Sequence, residues 1–270
     1  LAGGGISYTE FSYQLLQSFD YLELYRRYDC VLQTGGSDQW GNITAGVDLV
    51  RRVESKSVHA LTTPLITKAD GTKFGKTESG TIWLDSVLTS PYAFFQFWLN
   101  ADDRDVATLL HTFSFQGPED VGGLLVATAE RPHERAAQRA LAGELTTLVH
   151  GASEAAGAEA AGLALFGQGD LASLPAGTLT AALLETPNGA VAAAEIINGL
   201  FPTFDVLLVR CGLVTSKAQA RRTIAEGGAY LNNERVTSET FQPSTTDLLQ
   251  GKWLVLRRGK KSVGGICISP

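Results

Sequence analysis

The run Cys30-Val31-Leu32-Gln33-Thr34-Gly35-Gly36-Ser37-Asp38-Gln39-Trp40-Gly41-Asn42 changes character twice in quick succession. It opens with β-formers, turns through two glycines, and hands over to a helical pattern carried by Ile43, Val47 and Val50. Strand, Gly-Gly, then helix start is the place where open α/β sheets bind nucleotides, because the strand end and helix N-terminus offer unpaired backbone donors. Glycines there let backbone approach a ligand, and Asp38 is an acceptor suited to ribose hydroxyls. Taken alone, a Gly-Gly pair is most often only a turn.

Upstream, Thr9 is expected to cap a helix running from Glu10 towards Arg27, with Phe11, Leu15, Leu16, Phe19 and Leu22 as its apolar stripe. Tyr13, Gln17 and Asp20 share one face of that helix at i, i+4 and i+7. A phenol, an amide and a carboxylate in line suit a small polar aromatic molecule; a solvated helix side is the plainer alternative. Downstream, Lys73-Phe74-Gly75-Lys76-Thr77 follows the apolar run Leu61 to Ile66 and lies close to Lys68, Asp70 and Gly71. Two lysines on a glycine-containing loop make a positive clamp able to close on a polyphosphate as its charge is redistributed. Solvated surface lysines are again the alternative.

Together these segments resemble the bacterial tyrosyl-tRNA synthetases, a class I aminoacyl-tRNA synthetase family. The resemblance rests on Gly5-Ile6-Ser7-Tyr8-Thr9-Glu10-Phe11-Ser12-Tyr13, on Gln33 to Asn42, and on Lys73 to Thr77, which is the bacterial tyrosine enzymes' variant of the class I lysine signature. It implies that Tyr13 and Gln17 bind the tyrosine ammonium, that Asp20 accepts from the substrate phenol, and that Gln33 and Gln39 line the carboxylate and α-phosphate. It further implies that Gly36 and Asp38 hold the ribose, and that Lys73, Lys76 and Thr77 grip the departing pyrophosphate. ATP with Mg²⁺, tyrosine and tRNA(Tyr) are the implied reactants, with no protein-ligated metal, and a homodimer is the implied assembly. The family's first nucleotide signature, His-x-Gly-His, is absent, and the four histidines (His59, His111, His133, His150) are scattered. The chain starts at Leu1 and contains no methionine. The first half of the catalytic fold is therefore expected before Leu1, and little activity is expected of this chain alone.

Composition agrees with a cytoplasmic globular protein: 44% hydrophobic and 19% charged residues, with no apolar run long enough to span a bilayer. Cys30, Cys211 and Cys267 have no metal spacing and read as reduced thiols. Charge is unevenly placed. From Thr203 onward there are ten Lys and Arg against five Asp and Glu, a net +5, whereas the preceding residues carry twelve against twenty-three, or −11. A basic tail on an acidic body points to a local polyanion contact.

The fold expected is α/β and multidomain. Residues 1–85 are read as the later part of a Rossmann-type catalytic domain, 86–200 as an α-helical domain with a linker, and 201–270 as a small α/β RNA-binding module. In the middle, Ser90-Pro91 opens a helix whose aromatic cluster, Phe94, Phe95, Phe97 and Trp98, reads as core. Further helices are expected at Asp103–Phe113, Glu134–His150, 152–165, 178–185 and 190–199. In the tail, Phe204–Cys211 is a helix candidate. Ser216 caps a helix carrying Lys217 and Arg221, Gly227-Gly228 stops it, and Asn232-Asn233 makes a tight hairpin. Trp253–Leu256 is a strand, followed by the basic run Arg257-Arg258-Gly259-Lys260-Lys261. This tail resembles the RNA-binding domain shared by a ribosomal small-subunit protein and bacterial tyrosyl-tRNA synthetases; Lys217, Arg221, Arg222, Arg257, Arg258, Lys260 and Lys261 would grip RNA phosphates. Two rival readings are a tryptophanyl-type class I synthetase and a noncatalytic RNA-binding or assembly protein.

Overall fold

The computed structural model describes residues 7–69, 71, 72, 74, 76, 77 and 80–269, and the chain divides into two compact units, Leu1–Phe74 and Gly75–Pro270.

In the first unit, α1 (Tyr8–Tyr28) starts two residues earlier than the sequence pattern suggests. Its cap is Ser7, not Thr9. The Ser7 hydroxyl accepts from the Glu10 amide while the Glu10 carboxylate accepts from the Ser7 amide at 2.7 Å, so two orphan donors are satisfied reciprocally. Asp29, in the left-handed conformation (φ 52°), ends the helix. The short parallel pair β1 (Leu32–Gly36) and β2 (His59–Thr63) flanks α2 (Trp40–Glu54), with Leu32 opposite His59. This is one β-α-β unit. α1 lies against α2 at Gly46, where a β-carbon would come within 2.9 Å of the Tyr21 ring. Tyr21, Leu22, Val50 and Val58 form the buried cluster, and the Tyr21 hydroxyl donates to the His59 carbonyl at 2.8 Å.

The expected apolar stripe of α1 does not become core. Leu22 is buried, but Phe11, Leu15, Leu16 and Phe19 are each about half exposed or more. What α1 packs on α2 is the Ser18–Tyr21–Leu22 side, and its other apolar side chains stay exposed.

The second unit begins with a two-residue antiparallel pair, β3 (Lys76–Thr77) and β4 (Gly80–Thr81). A helical layer follows: α3 (Pro91–Leu99), α4 (Val106–Phe113), α5 (Pro118–Glu130), α6 (Ala136–His150), α7 (Ala152–Leu165) and α8 (Ala176–Leu184). Ser90 caps α3 by accepting from the Ala93 amide, as its sequence indicates, and Phe94, Phe95 and Trp98 are buried. Small residues let α7 sit close: Ala155, Ala158, Ala161 and Ala164 are all buried.

The expected helix at 190–199 is instead β5 (Asn188–Ala192) and a 3-10 turn at Ala193–Glu195. β5 is the parallel edge of a five-stranded sheet ordered β5-β9-β8-β6-β7, the other members being β6 (Ala229–Leu231), β7 (Glu234–Arg235), β8 (Trp253–Arg258) and β9 (Ser262–Ser269). Two helices, α9 (Phe204–Arg210) and α10 (Lys217–Ala225), cover it around a core of Phe201, Phe204, Leu207, Leu208, Ile224, Leu254, Leu256 and Ile266. No described helix is long and apolar enough to cross a membrane.

Candidate active-site segments and RNA-binding face

The Gly-Gly turn has a packing cause. A β-carbon on Gly36 would lie 2.6 Å from the Asp38 carboxylate and 2.8 Å from Leu65, and one on Gly35 would lie 3.1 Å from Gln39. The glycines thus admit a tight 3-10 turn (Ser37–Gln39) that feeds α2 directly. Asp38 is exposed at this turn and accepts from the Gln39 amide at 3.2 Å; Gln39 in turn accepts from Asn42 at 3.3 Å. Gln33, on β1, holds its side-chain oxygen buried with no hydrogen-bond partner among the described residues. An unpaired buried acceptor costs about 1–3 kcal/mol, so a polar ligand that donates to it gains affinity.

On α1, Tyr13 is more than half exposed, Gln17 is half-buried and Asp20 is exposed. Asp20 lines an open groove of about 400 Å³ with Phe19, Glu23, Leu24, Arg27 and Tyr28, all from the same helix. The three polar side chains stand in line along α1. Near the lysine loop, the Gly71 amide donates to the Lys68 carbonyl at 2.8 Å and the Lys68 amide to Thr72 at 2.9 Å, a turn that uses the positive φ of Gly71 (80°). Lys73, Asp70 and Gly75 lie outside the described residues, as do Gly5 and Ile6, and so do the side chains of Lys76 and Thr77. The backbone of Lys76 and Thr77 forms β3.

The tail sorts the expected RNA-binding cations by their partners. Arg221 donates to Asp205 at 3.0 Å, and Asp205 is 2% exposed. Burial would push the Asp205 carboxyl up, but hydrogen bonds from Thr203, Arg221 and the Val206 amide outweigh it and hold the group below the usual range. Arg222 pairs with Glu226 at 2.7 Å on the exposed side of α10. Arg258 donates to the Leu213 carbonyl at 3.1 Å. Arg257 is half-buried, its guanidinium 4.2 Å above the Tyr230 ring. Lys217, Lys260 and Lys261 are exposed and make no ion pair among the described residues.

The turn after β8 comes close to the end of α10, since the Gly259 amide donates to the Gly228 carbonyl at 2.7 Å. Arg235 joins it there: its guanidinium lies where a β-carbon of Gly227 would be. Arg235, on β7, is a further cation of this face. The pairing of Arg235 with Tyr230 across the Asn232-Asn233 turn is the signal that would have found it. Among the described residues no cluster of three or more His, Cys, Asp or Glu is arranged to hold a metal ion, and none of the three cysteines is bonded.

Residues 1–167 match the family described as tRNA synthetases class I (W and Y), and residues 202–263 match the C-terminal domain of the tyrosine–tRNA ligase SYY-like type. The tyrosine–tRNA ligase of Streptomyces avermitilis is 62% identical over 97% of this chain, which covers 61% of that protein. The ligase of Thermobifida fusca is 60% identical over 99% of this chain and 62% of its own length; that of Mycobacterium tuberculosis is 55% identical over 98% and 62%. The chain thus spans about three-fifths of the length of the curated relatives it matches. Among solved structures, a C-terminally truncated mitochondrial tyrosyl-tRNA synthetase of Aspergillus nidulans aligns with a TM-score of 0.50 and 32% identity, covering 58% of this chain and 44% of that one. The chain belongs to the class I tRNA synthetases of the W and Y group, and within it the bacterial tyrosine ligases are what it is similar to.

Proposed function

We propose that this chain is part of a tyrosine–tRNA ligase, which activates tyrosine with MgATP and passes it to the 3′ end of tRNA(Tyr). The observation that carries the reading is the β1–Gly-Gly–α2 turn, with the exposed Asp38 at its tip and the unpaired Gln33 oxygen on the strand before it. In the reaction the substrate carboxylate oxygen attacks the α-phosphorus, the bond to the β-phosphate oxygen breaks, and pyrophosphate leaves with the electron pair. No side chain is a nucleophile; the work is positioning and charge stabilisation.

Each residue then has a chemical role. Tyr13, Gln17 and Asp20 present acceptors to the ammonium and phenol ends of tyrosine, with Gln39 towards its carboxylate and the Gln33 oxygen accepting from the ammonium beside that carboxylate. Asp38 accepts from ribose hydroxyls while Gly36 keeps the approach open. Lys73, Lys76 and Thr77 meet the β- and γ-phosphates. Lys217, Arg222, Arg258, Lys260 and Lys261 face RNA phosphates, with Arg235 beside them. A cytoplasmic homodimer belongs to the same proposal.

The test is aminoacylation by the full-length protein with tRNA(Tyr) and tRNA(Trp), each offered tyrosine and tryptophan. Tyrosine on tRNA(Tyr) alone supports the reading. Tryptophan on tRNA(Trp) would replace it with the other member of the group, and no charging of either would favour a noncatalytic RNA-binding protein.

A further inference from the structure

The two asparagines of the β6–β7 turn adopt the same left-handed backbone yet do different things. Asn232 (φ 49°) faces its own module: it donates to the Asp247 carbonyl at 2.6 Å and accepts from the Val255 amide at 2.9 Å. Asn233 (φ 70°) faces away and donates to the Ala164 carbonyl of α7 at 2.7 Å, across 69 residues of sequence. Ala164 lies in the last turn of α7. That turn closes with a Schellman arrangement: the Gln168 amide donates to Leu163, the Gly167 amide to Ala164, and Gly167 takes φ 83°.

A cation from the module lies beside the same end. The Arg257 guanidinium, over the Tyr230 ring and donating to the Gly259 carbonyl at 3.3 Å, comes so near Gly167 that a β-carbon there would lie 3.2 Å from its Nη2. The carboxyl end of a helix carries the negative pole of its dipole, so the Asn233 amide, a second donor to the Ala164 carbonyl, and a guanidinium nearby both suit it. Around them the contact continues. Gln250 donates to the carbonyls of Ala172 and Leu174 at 3.0 and 2.8 Å, and the buried Trp253 donates to Thr180 of α8 at 3.0 Å.

We propose that the carboxyl end of α7 is a socket that fixes the orientation of the C-terminal module, with Asn233 and Arg257 as its positioning residues. Its role in charging rests on the reading given under Proposed function. A module held in one orientation presents its exposed lysines to RNA without first being ordered, and binding that needs no prior ordering is tighter. Arg257 then acts on RNA through the geometry of the module and not by touching a phosphate. A lysine, which has no planar fork to lie on Tyr230, cannot replace it.

The experiment uses the full-length protein with Asn233→Gly, which keeps the left-handed backbone, and Asn233→Asp, which turns a charged acceptor towards the helix's negative end. Amide hydrogen exchange at Gly167 and Gln168 is expected to accelerate about tenfold or more in both variants, while α10 keeps its protection. The KM for tRNA(Tyr) is expected to rise about tenfold, with kcat and tyrosine-dependent ATP–pyrophosphate exchange unchanged. Arg257→Lys is expected to behave like Arg257→Ala in both readouts. Unchanged exchange at the end of α7 would overturn the socket. So would full rescue of tRNA affinity by Arg257→Lys, which would make Arg257 a direct phosphate contact. If the unmodified protein charges no tRNA at all, the functional reading fails, and the hydrogen-exchange result still decides the socket by itself.

Discussion

Asp205 shows how one side chain organises its surroundings. It is buried, yet ionised by three donors, one of them the partly exposed Arg221. Because its folded carboxyl is held below the unfolded value of about 3.9, its stabilisation is complete above that value and is lost as pH falls through the folded one. Asp205→Ala should lower the stability of the C-terminal unit by about 2–3 kcal/mol at pH 7. The gap to the unmodified protein should narrow as pH drops below about 4, which urea unfolding at stepped pH measures. At the same scale, Lys76→Ala should slow adenylate formation by about 10²-fold or more while leaving tyrosine affinity nearly unchanged, because the clamp acts on charge that develops as pyrophosphate leaves. Rapid-quench kinetics separates the two; a large loss of tyrosine affinity would remove Lys76 from that role. Single residues were the most legible part of the sequence where their chemistry is local. Ser216 and Ser90 cap the helices their positions announce, and Asn232-Asn233 makes its turn. Arg221 and Arg257 were legible only as cations, since their partners Asp205 and Tyr230 lie far away in sequence and meet them through tertiary packing.

Among the elements, α1 and β5 diverged from their sequence patterns for different reasons. In α1 two cap signals compete at its start, and the Ser7 to Glu10 spacing, which allows reciprocal bonding, prevails over Thr9. Ser7→Ala should therefore cost about 1 kcal/mol and fray the first turn, visible as faster hydrogen exchange in residues 8–12. β5 reads Asn188-Gly189-Ala190-Val191-Ala192, a stretch with little strand propensity. It is extended because β9 pairs with it and Val191 is fully buried beneath, so tertiary pairing overrides the alanines. β9 was equally hard to see, since Gly264 and Gly265 interrupt its apolar run. The structure explains them: a β-carbon on Gly264 would lie 2.6 Å from the Pro187 carbonyl, and one on Gly265 would lie 3.0 Å from the Trp253 ring. Gly264→Ala should push β5 from β9 and destabilise the unit by about 1–3 kcal/mol, the usual cost of overpacking. A thermal melt that is unchanged would show that the sheet has slack there.

For the whole molecule, the α/β character, the helical middle section and the basic tail were all visible in periodicity and charge. The turn from β1 into α2 was visible in one strand-Gly-Gly-helix run. What was not visible is which apolar faces end up covered: Phe11, Leu15, Leu16 and Phe19 have the spacing of a core stripe and remain exposed. Burial depends on a partner surface, which a single helix does not encode. The division of labour proposed for the full-length protein makes a sharp prediction. Deleting residues 203–270 should abolish tRNA charging while adenylate formation stays within about threefold, because in that proposal the basic module meets RNA and not the phosphates of ATP. Equal loss of both would make the module a structural support.

The central claim is that the site on α1 and β1 selects tyrosine. Tyrosine-dependent ATP–pyrophosphate exchange in the full-length protein, with phenylalanine and tryptophan as competitors, tests it directly. Asp20 would be the buried phenol's partner once substrate is bound, and a site left with an unpaired polar group rejects the analogue strongly; tyrosyl-tRNA synthetases are themselves the established case, at about 10⁵ against phenylalanine. The account predicts exchange with tyrosine, exchange with phenylalanine lower by about 10⁴ or more, and none with tryptophan. Exchange driven by tryptophan, or by phenylalanine as readily as by tyrosine, would contradict it.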